Sequence, residues 1–455
     1  QQFSGRVVDQ RAAVGLLTRN IVIRGDESSV ADSFGGHVMV HAGGQARVSG
    51  VEFFRMGQMG LAGRYPLHWH LVDRQPRLGV GGRGQFARGN SFHDSFQRAV
   101  VVHGTSNVSV ERNVAYHVFN HAFVAAEDGD EEGNVFRANL GMLVRPAARG
   151  AFAPPYRPNS ADDVQTIQLE ATPAVFWARN VNNTWIGNIA AGSASGHGFL
   201  IENLYRYDPS ADNAATFSAF SVQRPPRAVV FEDNVAHSNC GLDPSETADF
   251  WRMPLGRAGV LTYDFNTTSH GLTLLGVTRG MRGVDYTGLE LQFRRFTSYK
   301  NCTSGAWVET HHEHLVDSVF ADNVHGIQGA NLLRATDVLV VGRTANDIGG
   351  WLGASSGLVF DDYGNVDLFS VTIQNAAVGL KFSDDFKMDG RSAEMRLIDV
   401  PLAIDAREVL SRGTGFMVDT DGSLLGAGPG ARLSVSPLSD RSVFDSRGQI
   451  YVTAP

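Results

Sequence analysis

The chain reads as an all-β solenoid, a parallel β-helix with long loop insertions, and three observations carry that reading. Asparagine recurs at one place in a repeated pattern: Asn90, Asn113, Asn139, Asn188, Asn234, Asn301 and Asn323 each precede a short apolar run, a small turn and another apolar run. Clear neighbours are spaced by 22 to 26 residues (90 to 113 to 139, 301 to 323), the period of a repeat whose coils contact only their neighbours. The template of a leucine-rich repeat is absent. The 51 glycines punctuate runs of β-formers, and no helical periodicity is sustained. At 455 residues the chain also exceeds most single compact cores, a limit that solenoids escape.

Taken in order, residues 20–25, 37–44 and 46–54 are short strands between Gly-rich turns, within a stretch 6–62 of that character. From Asn90 the repeat takes over. An asparagine at a tight corner can bond its counterparts in adjacent coils, so the ladder asparagines are structural and none is catalytic. Three insertions interrupt the coils, at about 74–84, 146–173 and 205–226; the second holds Pro154, Pro155 and Pro158 and cannot be regular strand throughout. Loops on a rigid solenoid are where binding residues gather. The β-helix is expected over 1–400 and a β cap over 401–455. Within that cap Asp419-Thr420-Asp421-Gly422-Ser423 is read as a turn, since no glutamate follows to complete a calcium loop.

Six of the fifteen histidines fall between residues 63 and 130: His68, His70, His93, His103, His117 and His121. Laying 66–72, 96–102 and 119–125 under one another puts His68, Arg98 and His121 in one column. On a strand His68 and His70 share a face, and Trp69 points to the core. A His-x-His pair with His121 from the next strand suits a transition metal such as zinc. Without a metal, His68 and His121 would be donors to a bound carboxylate. Glu127 and Asp128 follow where the third strand runs out, and on a strand only one of them faces the groove. Asp128 is the candidate acid or base, with Glu127 orienting a histidine or a metal and His121 assisting; the plain alternative is an acidic surface turn. Arg98 and Arg64 are candidates for an anionic carboxylate ligand, which the guanidinium fork matches, with His103 beside them. His93, His103, His117 and His237 recur near coil corners and read as structural, His103 being at the same time the substrate candidate beside the arginines. His311-His312-Glu313-His314 offers an adventitious second metal site.

Composition narrows the function. A net charge of −8 argues against a general nucleic-acid binder, although seven arginines between Arg64 and Arg112 could meet an anion locally. Three lysines against 36 arginines suggest a GC-rich, bacterial source. Cys240 and Cys302 make at most one disulfide and leave the redox compartment open. No apolar run approaches a membrane span. The start at Gln1-Gln2-Phe3 is compatible with a removed leader or upstream domain, and a monomer is expected.

Several separate motifs now join. Residues 8–21 (VDQRAAVGLLTRNI), Phe34-Gly35-Gly36-His37, Met56-Gly57-Gln58, Gly63-Arg64-Tyr65-Pro66-Leu67-His68-Trp69-His70, Arg98, Val102-His103-Gly104, His121, Glu127-Asp128-Gly129 and residues 234–239 appear in that order. Over roughly residues 6–330 the chain resembles the cell-migration-inducing and transmembrane hyaluronidases and, more distantly, fibrocystin-like proteins. The resemblance implies a right-handed, single-stranded parallel β-helix, an upstream glycine-rich domain, extracellular degradation of hyaluronan, and calcium. The 74–84 loop, Asp94 in place of a second histidine, and residues 311–314 depart from the family. The expected activity is endo-hydrolysis of an acidic glycosaminoglycan-like polysaccharide by a secreted or cell-surface protein, with hyaluronan the lead substrate and no organic cofactor. The alternatives are a lyase acting by β-elimination, with Arg98 between the two histidines as its base since the three lysines all fall after residue 299, and a non-catalytic glycan-binding or adhesive solenoid.

Overall fold

The computed structural model describes residues 1–74, 81–126, 131–146, 173–178, 180, 182–194, 196–203, 230–239, 241–242, 263–264, 270–276, 291–309, 313–329, 332–346, 355–360, 363–383, 387–406, 414–435 and 452–453. Most of the expected insertions, 75–80, 147–172 and all of 205–226, lie outside them. The regular secondary structure of the described residues is nearly all strand; the one α-helix among them is Ser29–Asp32, and no helix is long and apolar enough to cross a membrane. The chain divides into two compact units, one of Ala12–Val230 with Asn234–His270, the other of Gln1–Arg11, Phe231–Asp233 and Gly271–Pro455.

In the first unit a coil supplies three short strands, for example Ser109–Glu111, Val114–Phe119 and His121–Ala125. These coil strands pair in parallel with their counterparts one coil away; the short Gly241–Leu242 and Tyr263–Asp264 instead pair antiparallel with each other. Val110 sits between Ala87 and Phe136, Ala115 between Phe92 and Gly141, and Val100 between Leu67 and Phe123. Identical inward positions therefore stack into columns, and the core is a pile of flat rings. Phe123–Phe176 and Phe176–Phe199 lie 5.1 and 4.7 Å apart, and Phe136–Trp185 4.2 Å. The strand spacing of about 4.8 Å dictates such contacts.

The corner between the first two strands of a coil is a single residue in the left-handed region: Gly50, Gly89, Arg112, Ala138 and Gly187, with φ of 66, 63, 52, 51 and 64°. Glycine suits that conformation. Where Arg112 and Ala138 stand instead, the asparagine that follows holds the turn. Asn113 Oδ1 accepts from the backbone N–H and Nδ2 of Asn90, both at 3.0 Å. Its own Nδ2 donates to Asn139 Oδ1 and to the Ala87 carbonyl, also at 3.0 Å. The ladder continues from Asn139 to Asn188 to Asn234. These asparagines are structural, as the sequence suggested.

The second unit corrects one grouping. Asn301 donates to Asn323 Oδ1 from its backbone N–H at 3.0 Å and from Nδ2 at 2.9 Å. Both residues follow left-handed positions, Lys300 and Asp322, after the second strand of a coil (Thr297–Tyr299) rather than the first (Leu291–Arg294). They form another ladder at another corner, written in the same local chemistry. Parallel stacking also runs past residue 400: Leu402–Asp405 and Thr414–Asp419 both pair in parallel. The sense changes at Ala431–Val435, which returns antiparallel along Thr414–Asp419. Between them Asp419 Oδ2 accepts from the N–H groups of Leu424 and Leu425, and Asp421 Oδ1 from that of Ser423. That segment is a turn.

Residues 1–11 belong to this second unit, although sequence reading treats 6–62 as one run of strands. Gln10 Nε2 donates to Asp322 Oδ2 at 2.6 Å, Arg6 Nη1 to the Asp337 carbonyl at 2.6 Å, and Arg6 pairs with Asp317.

Candidate functional site

Two neighbouring strands, Leu67–His70 and Val100–His103, build the site. Leu67 and Trp69 are fully buried, and the Trp69 indole N–H donates to Gln85 Oε1 at 2.9 Å. With those two facing the core, alternation turns His68 and His70 to the outer face. The pairing is Leu67 with Val100, His68 with Val101, Trp69 with Val102 and His70 with His103. Superposing the repeats by eye sets His68 opposite Arg98, three residues out of place. An odd slip moves every side chain to the wrong face, and the apolar Leu67 and Trp69 forbid it. Arg98 and His121 are aligned as expected, because Val100 pairs with Phe123.

The correct pairing gathers three histidines. His70 Nδ1 and His103 Nδ1 are 3.1 Å apart, so one ring donates and the other accepts. The rings of His68 and His70 lie 5.0 Å apart, and those of His68 and His103 stack at 5.8 Å. One nitrogen from each of His68, His70 and His103 falls within 4.8 Å of the others. His68 is fully buried, and its Nδ1 donates to the Gly63 carbonyl at 3.0 Å. His70 and His103 are half-buried, and the exposed His41 meets His70 edge-on at 5.4 Å. The buried Glu131 accepts from the Gly104 N–H at 3.0 Å and pins the backbone next to His103.

The other sequence candidates separate. His121 does not join the three. Its Nδ1 accepts from the Ala174 N–H at 2.9 Å, and its ring packs on Trp177 at 4.6 Å. Arg98 is fully buried between Tyr65 and Trp177, 5.2 Å from each ring, and does not face solvent. Arg64 is exposed and meets His37 Nε2 at 2.9 Å; burial, and then the guanidinium, lower the His37 pKa. Glu127 and Asp128 lie outside the described residues, as do His311 and His312; His314 Nε2 bonds Thr336 Oγ1 at 2.7 Å.

On another sheet runs a chain of carboxylates and imidazoles. His93 Nε2 meets Glu52 Oε1 at 3.2 Å, His93 Nδ1 meets Asp94 Oδ2 at 2.8 Å, and His117 Nδ1 meets Asp94 Oδ1 at 2.7 Å. Burial works against the His93 charge, but the two carboxylates prevail and raise its pKa. Burial likewise opposes the Asp94 charge, yet the two histidines hold that carboxyl well below the usual range. Asp94 and His117 both adopt left-handed backbone within their strands, Ser91–Ser95 and Val114–Phe119. Asp94, where the resemblance expects a histidine, therefore closes a structural relay.

Sequence reading gave His103 a substrate role and overlooked its place among the histidines. The signal was present: Trp69-His70 and Val102-His103 are the same large-apolar-then-histidine pair. Nothing local announces the packing of Tyr65 and Trp177 around Arg98.

A stacked parallel β-helix with a histidine-rich outer sheet face is thus a solenoid that builds a site on rigid strands rather than in a cleft between domains. Comparison with known proteins gives a family match: residues 33–242, a stretch that holds the whole histidine cluster, match the family described as CEMIP beta-helix. The chain is 34% identical over 255 residues to the cell surface hyaluronidase CEMIP2 of Homo sapiens, covering 51% of this chain and 18% of that protein. It is 30% identical over 356 residues to the cell migration-inducing and hyaluronan-binding protein of Mus musculus, covering 70% and 24%. To fibrocystin-L of Mus musculus it is 30% identical over 340 residues, covering 66% and 7%. The chain therefore spans less than a third of the length of these relatives.

Proposed function

We propose that the chain depolymerises an acidic glycosaminoglycan-like polysaccharide, with hyaluronan the lead substrate, by endo-hydrolysis outside the cell. The observation that carries this reading is the position of the histidine cluster inside the very segment shared with relatives named for hyaluronan. Hydrolysis needs a proton donor and a carboxylate near the glycosidic oxygen, roles proposed for Asp128 and Glu127, which follow His121–Ala125 in sequence. Exposed Arg64 is the arginine suited to a uronate carboxylate; buried Arg98 contributes by packing behind the face. An extracellular setting agrees with the relative named a cell surface hyaluronidase.

One observation favours a second reading. Arg98 is buried and His121 Nδ1 is engaged by the backbone, so two polar groups of the face serve the fold, as in a solenoid that binds glycan without cleaving it. The same burial weakens the lyase alternative, because Arg98 is not exposed to take a proton from a sugar. The deciding experiment follows the size and ultraviolet absorbance of hyaluronan and chondroitin digests for the wild type, Asp128→Asn and Arg64→Ala. Hydrolysis gives shorter chains without the absorbance of an unsaturated uronate, and Asp128→Asn abolishes it. New absorbance would make the protein a lyase, and binding without shortening would leave the adhesive reading.

A further inference from the structure

We propose that His68, His70 and His103 form a binding site for a first-row divalent transition metal of the zinc class, with an open position on the solvent side. The claim goes beyond the glycan reading and does not depend on it.

The argument starts with tautomers. A carbonyl only accepts, so His68 Nδ1 carries the proton it gives to Gly63, and His68 Nε2 is left as the lone-pair nitrogen. This is the outer-shell arrangement by which proteins fix a ligating imidazole. His70 and His103 approach each other at 3.1 Å, nitrogen to nitrogen. Two nitrogens bound tetrahedrally at about 2.0–2.1 Å from zinc stand about 3.3 Å apart, so this pair is already close to ligand spacing, and the proton the two rings share moves to the donor's Nε2 when the ion enters. The set as a whole spans no more than 4.8 Å, and rotation of a half-exposed ring closes the rest.

Rigidity and access agree with this. His70 and His103 are register partners on paired strands, His68 shares a strand with His70, and the Glu131 bond to Gly104 holds the backbone beside His103. A buried ligand flanked by two half-buried ones leaves one side of the ion open, the pattern of three protein ligands plus water. Calcium does not fit this donor set, because it takes about six to eight oxygen ligands and these donors are imidazoles. The fourth position would take water or an anionic oxygen of a ligand.

The test uses the full chain, stripped with a chelator and titrated with zinc by calorimetry, then with cobalt while following its visible absorbance. We expect one ion per chain, bands of low-symmetry cobalt, and a zinc-dependent rise in Tm. His70→Gln and His103→Gln change half-exposed residues; each should weaken zinc binding about 100-fold or more while the circular dichroism spectrum stays that of the wild type. His237→Ala, on another sheet, should bind as the wild type does. Failure of the wild type to take up zinc or cobalt would overturn the site, as would equal loss in His237→Ala or displacement of cobalt by calcium. Metal uptake without glycan cleavage would leave the site standing and count against the hydrolase alone.

Discussion

His70 and His103 are 33 residues apart in sequence, yet their Nδ1 atoms lie 3.1 Å apart because the two strands pair in register across one coil. His121, the residue that simple superposition makes the third member, spends its Nδ1 on the Ala174 backbone. The two histidines should therefore fail differently. His103→Gln is expected to lower kcat/KM on hyaluronan oligosaccharides about 10- to 100-fold with little change in Tm. His121→Asn should lower Tm through the lost buried bond, about 1–3 kcal/mol, and reduce activity only as far as folding is lost. Parallel assays and thermal melts of the two variants separate these outcomes; equal activity loss at unchanged Tm would return His121 to the site.

The asparagine ladder makes a stability prediction. Asn113 takes part in four side-chain hydrogen bonds, all buried and all at 3.0 Å. Asn113→Ala strands the buried Asn90 backbone N–H and takes one donor each from Asn139 Oδ1 and the Ala87 carbonyl, while the Asn113 backbone N–H still reaches Asn139; it should cost about 2–4 kcal/mol. Urea unfolding monitored by circular dichroism reads the cost. A loss under about 1 kcal/mol would mean that the corner holds by backbone geometry alone.

The relay of Glu52, His93, Asp94 and His117 carries a pH signature. His93 has a raised pKa in the fold, so its contribution is complete below about 6.5 and fades as pH rises through the folded value. Asp94 has a lowered pKa, so its contribution is complete above about 3.9 and is lost as pH falls through the folded value. Asp94→Asn should thus cost most between about pH 4 and 6.5, on the order of 1–2 kcal/mol given partial exposure. Melting curves of both proteins across pH 4 to 9 should converge toward the alkaline end; a constant gap would exclude His93 as the partner.

His197 acts with the opposite sign. Burial pushes its pKa down to about 4, so the folded chain keeps it neutral while the unfolded chain protonates it near 6.5. Stability then falls as pH drops from about 6.5 toward 4, by up to about 3 kcal/mol. His197→Leu should remove that slope and stay flatter across the window. The measurement is the difference in Tm between variant and wild type at closely spaced pH values, and an unchanged slope would show that His197 does not titrate alone.

Much of the fold was legible because its causes are local. Strand alternation, left-handed corners and asparagine after the corner are properties of a few consecutive residues, and they repeat at every coil. His68 and His70 on one face with Trp69 in the core follows from the period of two. The family resemblance was equally readable from short motifs, and residues 33–242 bear it out.

Other features depend on distances the sequence does not record. Paired positions are separated by 33 residues between the first two strands of this face (67 to 100) and by 23 between the next two (100 to 123). The excursion between the first two hides its own length, and an odd error in it exchanges inside for outside. Only stacking Leu67 and Trp69 on Val100 and Val102 resolves it, and that choice makes His103 the neighbour of His70. The burial of Arg98 needs Trp177 from a later coil, and the first eleven residues find Asp317, Asp322 and Asp337 beyond residue 300. The sequence alone determined the coil, its period and the chemistry of its corners, because each is settled within a few bonds. The tertiary structure decided which side chains meet across coils, because that depends on register, and register is set by the buried apolar columns of the whole stack.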